Sequence, residues 1–477
     1  MQKRLQNITQ TTMSITLNRK QQRALDLLEE TYVSCRAQHT GGIFQIDGPA
    51  GTGKTELIRV LVESGSSSER SIVVCAPTHK ATQVLQERLV MDAQDVQVTT
   101  CHRYLEGYTQ YSKTGKAIWK FKLDSLVMPD MIVLDEVSMV GDELFEAFKT
   151  LVERRQAFIV TTGDRCQLPP VDLVETPFYK KHPVQISLTR NMRNKQVTFN
   201  ACLEQLRKYI LDPATAPTGV DAVCEYLANY MPTYTPQWGR ANVDEIPDEI
   251  LKAYARSTDV MMLAHRTNAR TNTVQQLNKR LRGYMFGTVD EYAVGDRLIF
   301  TDYFKPGKTG LEQVFYTNDR ATVLEVDTLA TQMFYGESYR VYRLVLVPVK
   351  QTHTHPGQGN QVEVYRVHPQ DRKKWQAHDQ RVRDEIKTTL ELKSTTQSTQ
   401  DELWTTYYSA KKAIDAPLDY AYCLSIHKSQ GSSYQSVFVF LSDFAWMLYG
   451  QSVESRRTFF KLLYVALSRS RTTACVF

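Results

Sequence analysis

Short apolar runs alternate with helical repeats through the first third of the chain. Ile43–Ile46, Ile72–Cys75, Met131–Leu134 and Phe158–Thr162 have strand length and are bounded by polar residues. Glu56–Val62 reads as a helix. Asn18–Glu30 does too, with Ala24, Leu25, Leu27 and Leu28 on its apolar face and Asn18 in position to cap it. This alternation predicts a parallel sheet with helices on both faces. One segment breaks it. Gly107–Val127 is rich in Tyr, Lys and Trp, and Ser112–Lys116 reads as a turn between two strand-like runs. A β-hairpin inserted in the first α/β region is expected there.

A second α/β region begins near Gln185. Val260–Ala264 is its first apolar strand, followed by a helical stretch containing Asn268, Asn278 and Arg282. From Phe286 to about Val349 the pattern turns to consecutive strands, Arg297–Phe300, Ala321–Val326 and Tyr339–Val349, which predict a small β-barrel-like (SH3-like) insert. Asp371–Ala416 is highly charged. Trp375, Val382, Ile386 and Leu390 fall at helical spacing and Ser394–Ser398 is a break, so a helical hairpin is expected. After Pro417 the α/β pattern resumes. The predicted organisation is a first core over 1–185, carrying the hairpin at 106–128, and a second core over 186–287 and 416–477, interrupted by an insert over 288–415. No repeat of solenoid period is visible.

Composition narrows the class. The chain has 477 residues, 42% hydrophobic and 23% charged, as a globular protein of roughly three domains would have. Its net charge of +6 is spread along the chain, mild support for a polyanionic partner. The eight cysteines are scattered with no C-x-x-C, which argues against a zinc ribbon or a disulfide framework and for a reducing compartment such as the cytoplasm. Met1–Gln10 is polar and basic, so no signal peptide is expected, and no apolar run is long enough for a membrane helix.

The chemistry is concentrated in a few runs. Gly48-Pro49-Ala50-Gly51-Thr52-Gly53-Lys54-Thr55 matches G-x-x-x-x-G-K-[ST] between a strand and a helix. Glycines let the backbone wrap an anion, and N–H groups at the helix start point at phosphates. Lys54 is expected to reach the β- and γ-phosphates of a nucleoside triphosphate and Thr55 to hold Mg²⁺. The strand Ile132–Leu134 ends in Asp135 and Glu136, a second Mg²⁺ ligand and a base for the attacking water. Thr161–Val171 contains Gly163-Asp164-Arg165-Cys166-Gln167 and then a double proline; Gln167 is placed to sense a γ-phosphate. Further runs are Leu188–Arg193, His427-Lys428-Ser429-Gln430-Gly431-Ser432-Ser433 and Tyr464–Arg471. Thr352-His353-Thr354-His355 reads as a polar turn, since H-x-H without nearby partners is a poor metal site.

Taken in order and spacing, these runs resemble superfamily 1 helicases, most of all the RecD-like 5′-to-3′ branch with the phage Dda-type enzymes. The likeness extends from Leu17 to the C-terminus and is weakest in the hairpin and the insert. It implies two RecA-like P-loop cores in tandem, with ATP between them, driving translocation on single-stranded DNA and duplex unwinding. It implies adenine recognition by Gln21 in Leu17-Asn18-Arg19-Lys20-Gln21, and γ-phosphate contacts by Arg193 and Arg469. Strand contacts fall on Thr78, His79 and His102 in the first core and His427, Lys428 and Ser429 in the second. Partners are single-stranded DNA, its junctions with duplex, and single-strand-binding or replication proteins, in a phage replication or recombination setting.

This chain departs from the family pattern at His79, where a small residue is usual, at Cys101 in place of an aliphatic, and at Ser433 in place of Thr. None of these removes a catalytic group. The hairpin has two readings. Trp119 and Phe121 stack on the last base pair as a wedge, or they pack on the domain beneath. The activity has alternatives as well: an RNA helicase, a protein-displacing translocase, or a P-loop phosphotransferase or nucleotide switch.

Overall fold

The computed structural model describes residues 17–89, 96–170, 173–190, 197–231, 246–267, 272–287, 290–306, 314–349, 361–392, 395–449 and 452–477. In chain order the strands of the first half are β1 (Gly42–Asp47), β2 (Ile72–Ala76), β3 (Gln97–Thr100), β4 (Tyr108–Tyr111), β5 (Ala117–Lys120), β6 (Met131–Leu134), β7 (Phe158–Gly163) and β8 (Ile186–Ser187). Those of the second are β9 (Val260–Ala264), β10 (Arg297–Phe300), β11 (Arg320–Phe334), β12 (Glu337–Pro348), β13 (Val362–Val367), β14 (Leu418–Tyr420), β15 (Cys423–Ser425), β16 (Tyr434–Val439) and β17 (Ser470–Val476).

The chain divides into two compact units. The first comprises Met1–Tyr104, Leu123–Arg165 and Pro169–Lys195. Its six-stranded sheet, ordered β3-β2-β6-β7-β1-β8, is parallel throughout. β2, β6 and β7 are buried end to end, as strands covered on both faces must be. The helix Arg19–Ala37 starts in a reciprocal capping box between Asn18 and Gln21 and buries Ala24, Leu28 and Tyr32.

The second unit comprises Leu105–Lys122, Cys166–Leu168 and Gln196–Phe477. A four-stranded parallel sheet, β15-β9-β16-β17, forms its base. Alternation along β9 sends Met261 and Leu263 into one core, with the helices Val197–Leu211 and Val453–Ser468, and Val260 and Met262 into another, with Asp248–Arg256 and Thr273–Phe286. Each unit thus carries one all-parallel sheet, as two α/β cores in tandem require.

The insert supplies four strands of a five-stranded antiparallel sheet, β13-β12-β11-β10-β14, whose last strand, β14, comes from the segment expected to return to the second core. Among the described residues its end strands β13 and β14 do not pair, so the barrel-like reading is realised as a sheet with two edges. The expected helical hairpin is Pro369–Leu392 and Gln397–Ile414, and Trp375, Val382, Leu390, Trp404, Tyr407 and Ile414 pack with Phe334 and Tyr339 of the long β11–β12 ribbon. The inserted hairpin β4–β5 interrupts the first core in sequence, yet it groups with the second unit.

Candidate functional site: a phosphate loop and two sets of strand contacts

The phosphate loop runs from the end of β1 into the helix Lys54–Ser67. Gly51 and Gly53 have φ of 82° and 83°, in the left-handed region that favours glycine. At Gly53 a Cβ would also collide with Gln21 Nε2, and at Gly48 one would stand 2.8 Å from the Leu188 carbonyl. Lys54 is buried, and its Nζ donates to the carbonyls of Gly48 at 2.6 Å and Pro49 at 3.1 Å. The ammonium is therefore folded into the loop where a polyphosphate needs a cation. Thr52 Oγ1 donates to the Pro49 carbonyl at 2.9 Å, bracing the turn across Ala50. Thr55 follows Lys54 in the first helical turn. Gln21 donates through Nε2 to the Gly53 carbonyl at 3.3 Å, which ties the candidate base reader to the loop.

Strand register gathers the carboxylates. Asp47 lies opposite Gly163, and Leu134 opposite Thr161, so β1, β6 and β7 end together at their C-terminal side, where α/β sheets hold ligands. Asp135 is buried, and its Oδ1 accepts from the Glu136 amide at 2.9 Å and from the Thr162 hydroxyl. Thr55 and Asp135 are hard oxygen donors of one unit, the chemistry Mg²⁺ selects. Glu136 adopts φ of 53°, a conformation costing a non-glycine about 1–3 kcal/mol and typical of functional positions. Sequence reasoning passed over Thr162 and also Asp47, whose Oδ1 accepts from the Arg165 amide at 2.8 Å. Asp47's place directly before the loop was the available signal.

Gln167 and the C-terminal motifs lie in the second unit. Gln167 is buried, and the neighbouring Leu168 carbonyl accepts from Gln430 Nε2 at 3.0 Å. Gly431 has φ of 74°. Arg469 is buried at the end of the helix Val453–Ser468. Its guanidinium donates to the Val465 carbonyl at 3.1 Å, to Ser468 Oγ at 2.8 Å and to the Ser432 carbonyl at 3.4 Å. Arg193, Asn268 and the Thr352–His355 run lie outside the described residues.

The strand-contact candidates form one group in each unit. In the first, Thr78 Oγ1 caps the helix His79–Leu89 by accepting from the Ala81 amide at 3.2 Å. Burial, then the charges of His102 and Arg103, push His79 down to about 4; burial lowers His102 as well. In the second, His427–Ser429 forms a short 3₁₀ turn after β15. Ser429 is fully buried and donates to the Ile426 carbonyl at 2.7 Å, so it shapes the turn rather than presenting its hydroxyl. His427 is pushed down to about 4 by burial and by His265, whose ring is 6.0 Å away.

The hairpin is held by its turn. Asp401 Oδ1 accepts from the Tyr111 amide at 2.7 Å, and Gln397 and Gln400 both donate to the Tyr111 carbonyl. Tyr408 stacks on Tyr111 at 5.5 Å and donates to the Gly115 carbonyl at 2.9 Å. Trp119, on β5, is 40% exposed, while Phe121 is half-buried. Of the two wedge candidates Trp119 presents the larger open face.

Comparison with known proteins gives two family matches. Residues 16–212 match an AAA domain and residues 420–477 a UvrD-like helicase C-terminal domain. An uncharacterized protein of Acanthamoeba polyphaga mimivirus is 22% identical over 85% of this chain and 90% of its own. The ATP-dependent DNA helicase Dda of Enterobacteria phage T4 is 24% identical over 60% of this chain and 63% of its own, so the chain spans somewhat under two thirds of that relative. Among solved structures, a Bacteroides Pif1 bound to single-stranded DNA is 16% identical, with 97% of this chain and 92% of that one covered and a TM-score of 0.48. Its phosphate loop, its ordered motifs and these two matched domains make the chain similar to the superfamily 1 helicases, with an AAA domain followed by a UvrD-like helicase C-terminal domain.

Proposed function

We propose that the protein is an ATP-dependent DNA helicase that moves 5′-to-3′ along single-stranded DNA and opens duplex ahead of it. The observation that carries this reading is a complete hydrolytic set, Lys54, Asp135 and Glu136, on one parallel sheet, in a chain with a second parallel core bearing Arg469 and His427. Lys54 and the loop amides bind the phosphates, Thr55 and Asp135 hold Mg²⁺, and Glu136 takes the proton of the attacking water. Bound there, Mg²⁺ would supply charge neutralisation to the phosphates. Arg469 and Arg193 are the proposed γ-phosphate cations, Gln167 the proposed sensor and Gln21 the adenine reader.

Strand separation costs on the order of 1.4 kcal/mol of stacking per step, which ATP turnover supplies if a rigid element divides the strands. The anchored hairpin with exposed Trp119 suits that task, and it favours unwinding over translocation alone. A phosphotransferase would have no use for a second core with a positioned arginine. The proposed setting is phage DNA replication or recombination in the cytoplasm of the host cell, with single-strand-binding or replication proteins as proposed partners.

The test is ATP turnover with oligo-dT and with oligo-U of equal length. Stimulation by the DNA strand well above the RNA strand supports the reading. Preferential stimulation by RNA would make the protein an RNA helicase, and no stimulation by either would remove it from the helicases.

A further inference from the structure

Beside His427 the second unit carries an exposed aromatic surface that the motifs do not include. Trp446 is 51% exposed, on the short helix Trp446–Tyr449 that follows β16. The Arg266 guanidinium lies over its ring, 6.0 Å from the centroid. Buried Asp443 fixes this pair. Its Oδ2 accepts from the backbone amides of His265 at 2.6 Å and Arg266 at 2.7 Å, its Oδ1 accepts from Thr273 Oγ1 at 2.6 Å, and it faces Arg266 Nε at 3.6 Å.

Register sets the pair beside the candidate strand contacts. β15 and β9 run in parallel with Ser425 opposite Ala264, so the segments that follow, through His427 and through His265-Arg266, leave the sheet side by side. The 6.0 Å spacing of the His265 and His427 rings measures that closeness. An indole half-open to solvent beside a fixed guanidinium offers a flat apolar face and positive charge together. That combination suits a nucleobase with its phosphate, and single-strand sites are built in this way.

We propose that Trp446 and Arg266 form a base-stacking subsite for single-stranded DNA, in which the indole stacks one unpaired base and the guanidinium meets the adjacent phosphate. Asp443 acts as the positioning residue. The subsite rests on the helicase reading and extends the second core's strand contacts beyond His427 and Lys428.

The test is binding of fluorescent oligo-dT, intact or with one abasic site walked along it, to the full chain, to Trp446→Ala and to Trp446→Phe. The subsite predicts that Trp446→Ala weakens binding roughly 5- to 150-fold. It also predicts that Trp446→Phe restores most of this loss. One abasic position should weaken the unaltered protein while leaving Trp446→Ala unchanged. If Trp446→Ala binds intact oligo-dT as the unaltered protein does, or no abasic position separates the two, the subsite is wrong and the helicase reading stands. If the unaltered protein neither binds oligo-dT nor turns over ATP faster with it, both fall.

Discussion

Gly115 lies against the indole of Trp404: a Cβ at Gly115 would stand 2.8 Å from the ring, and φ there is 81°. The hairpin turn is therefore seated on a fully buried tryptophan of the helix Gln397–Ile414 by both shape and backbone conformation. Gly115→Ala adds overpacking of about 1–3 kcal/mol to a left-handed penalty of about 1–2 kcal/mol. Duplex unwinding should fall about tenfold or more while strand-stimulated ATP turnover stays within about twofold, because the change loosens only the proposed wedge. Parallel gel unwinding and phosphate-release assays check this, and equal losses in both would mean that the hairpin also serves turnover.

Lys54→Ala removes the cation folded into the phosphate loop. Turnover should drop to background, with oligo-dT binding in the absence of nucleotide largely kept. Retained turnover would overturn the assignment of the loop.

Arg469→Ala tests the arginine at the end of the last long helix. A cation that acts chiefly on the transition state is worth about 10³–10⁵ in rate, so kcat should collapse while nucleotide affinity changes little. A parallel loss of affinity would make Arg469 a ground-state contact.

His79 and His427 are each held near 4, below the ordinary histidine value of 6.5, chiefly by burial. The unfolded chain therefore binds more protons than the fold between these values. Their contribution to stability is complete above about pH 6.5 and is lost as pH falls toward about 4. Thermal melts from pH 8 to pH 4.5 should show a plateau and then a decline beginning near neutrality. His79→Gln combined with His427→Gln should flatten that decline. A decline as steep in the double variant would assign it to other groups.

Much of this was legible along the chain. Met131–Leu134 and Val260–Ala264 form strands with the bounds their apolar runs suggested, because buried parallel strands are continuous apolar runs, and Arg297–Phe300 keeps its expected bounds in the antiparallel sheet. Asn18 caps its helix as its side chain and position required. What the pattern did not carry was short or long-range. β8 has two residues, too few to generate a period, and β3 is only half covered. The partners of the hairpin, Asp401 and Tyr408, stand about 290 residues downstream. No local periodicity announces a contact at that separation, so the hairpin reads from sequence as an insert of the first core. Asp443 was missed for the same reason: its partners His265, Arg266 and Thr273 lie on another segment.

Directional unwinding driven by ATP is measured most directly on two labelled duplexes, one with a 5′ single-stranded tail and one with a 3′ tail, incubated with the protein and Mg-ATP. Only the 5′-tailed duplex should open. Opening of the 3′-tailed duplex alone would contradict the polarity, and failure to open either while oligo-dT still accelerates ATP turnover would contradict the helicase claim itself.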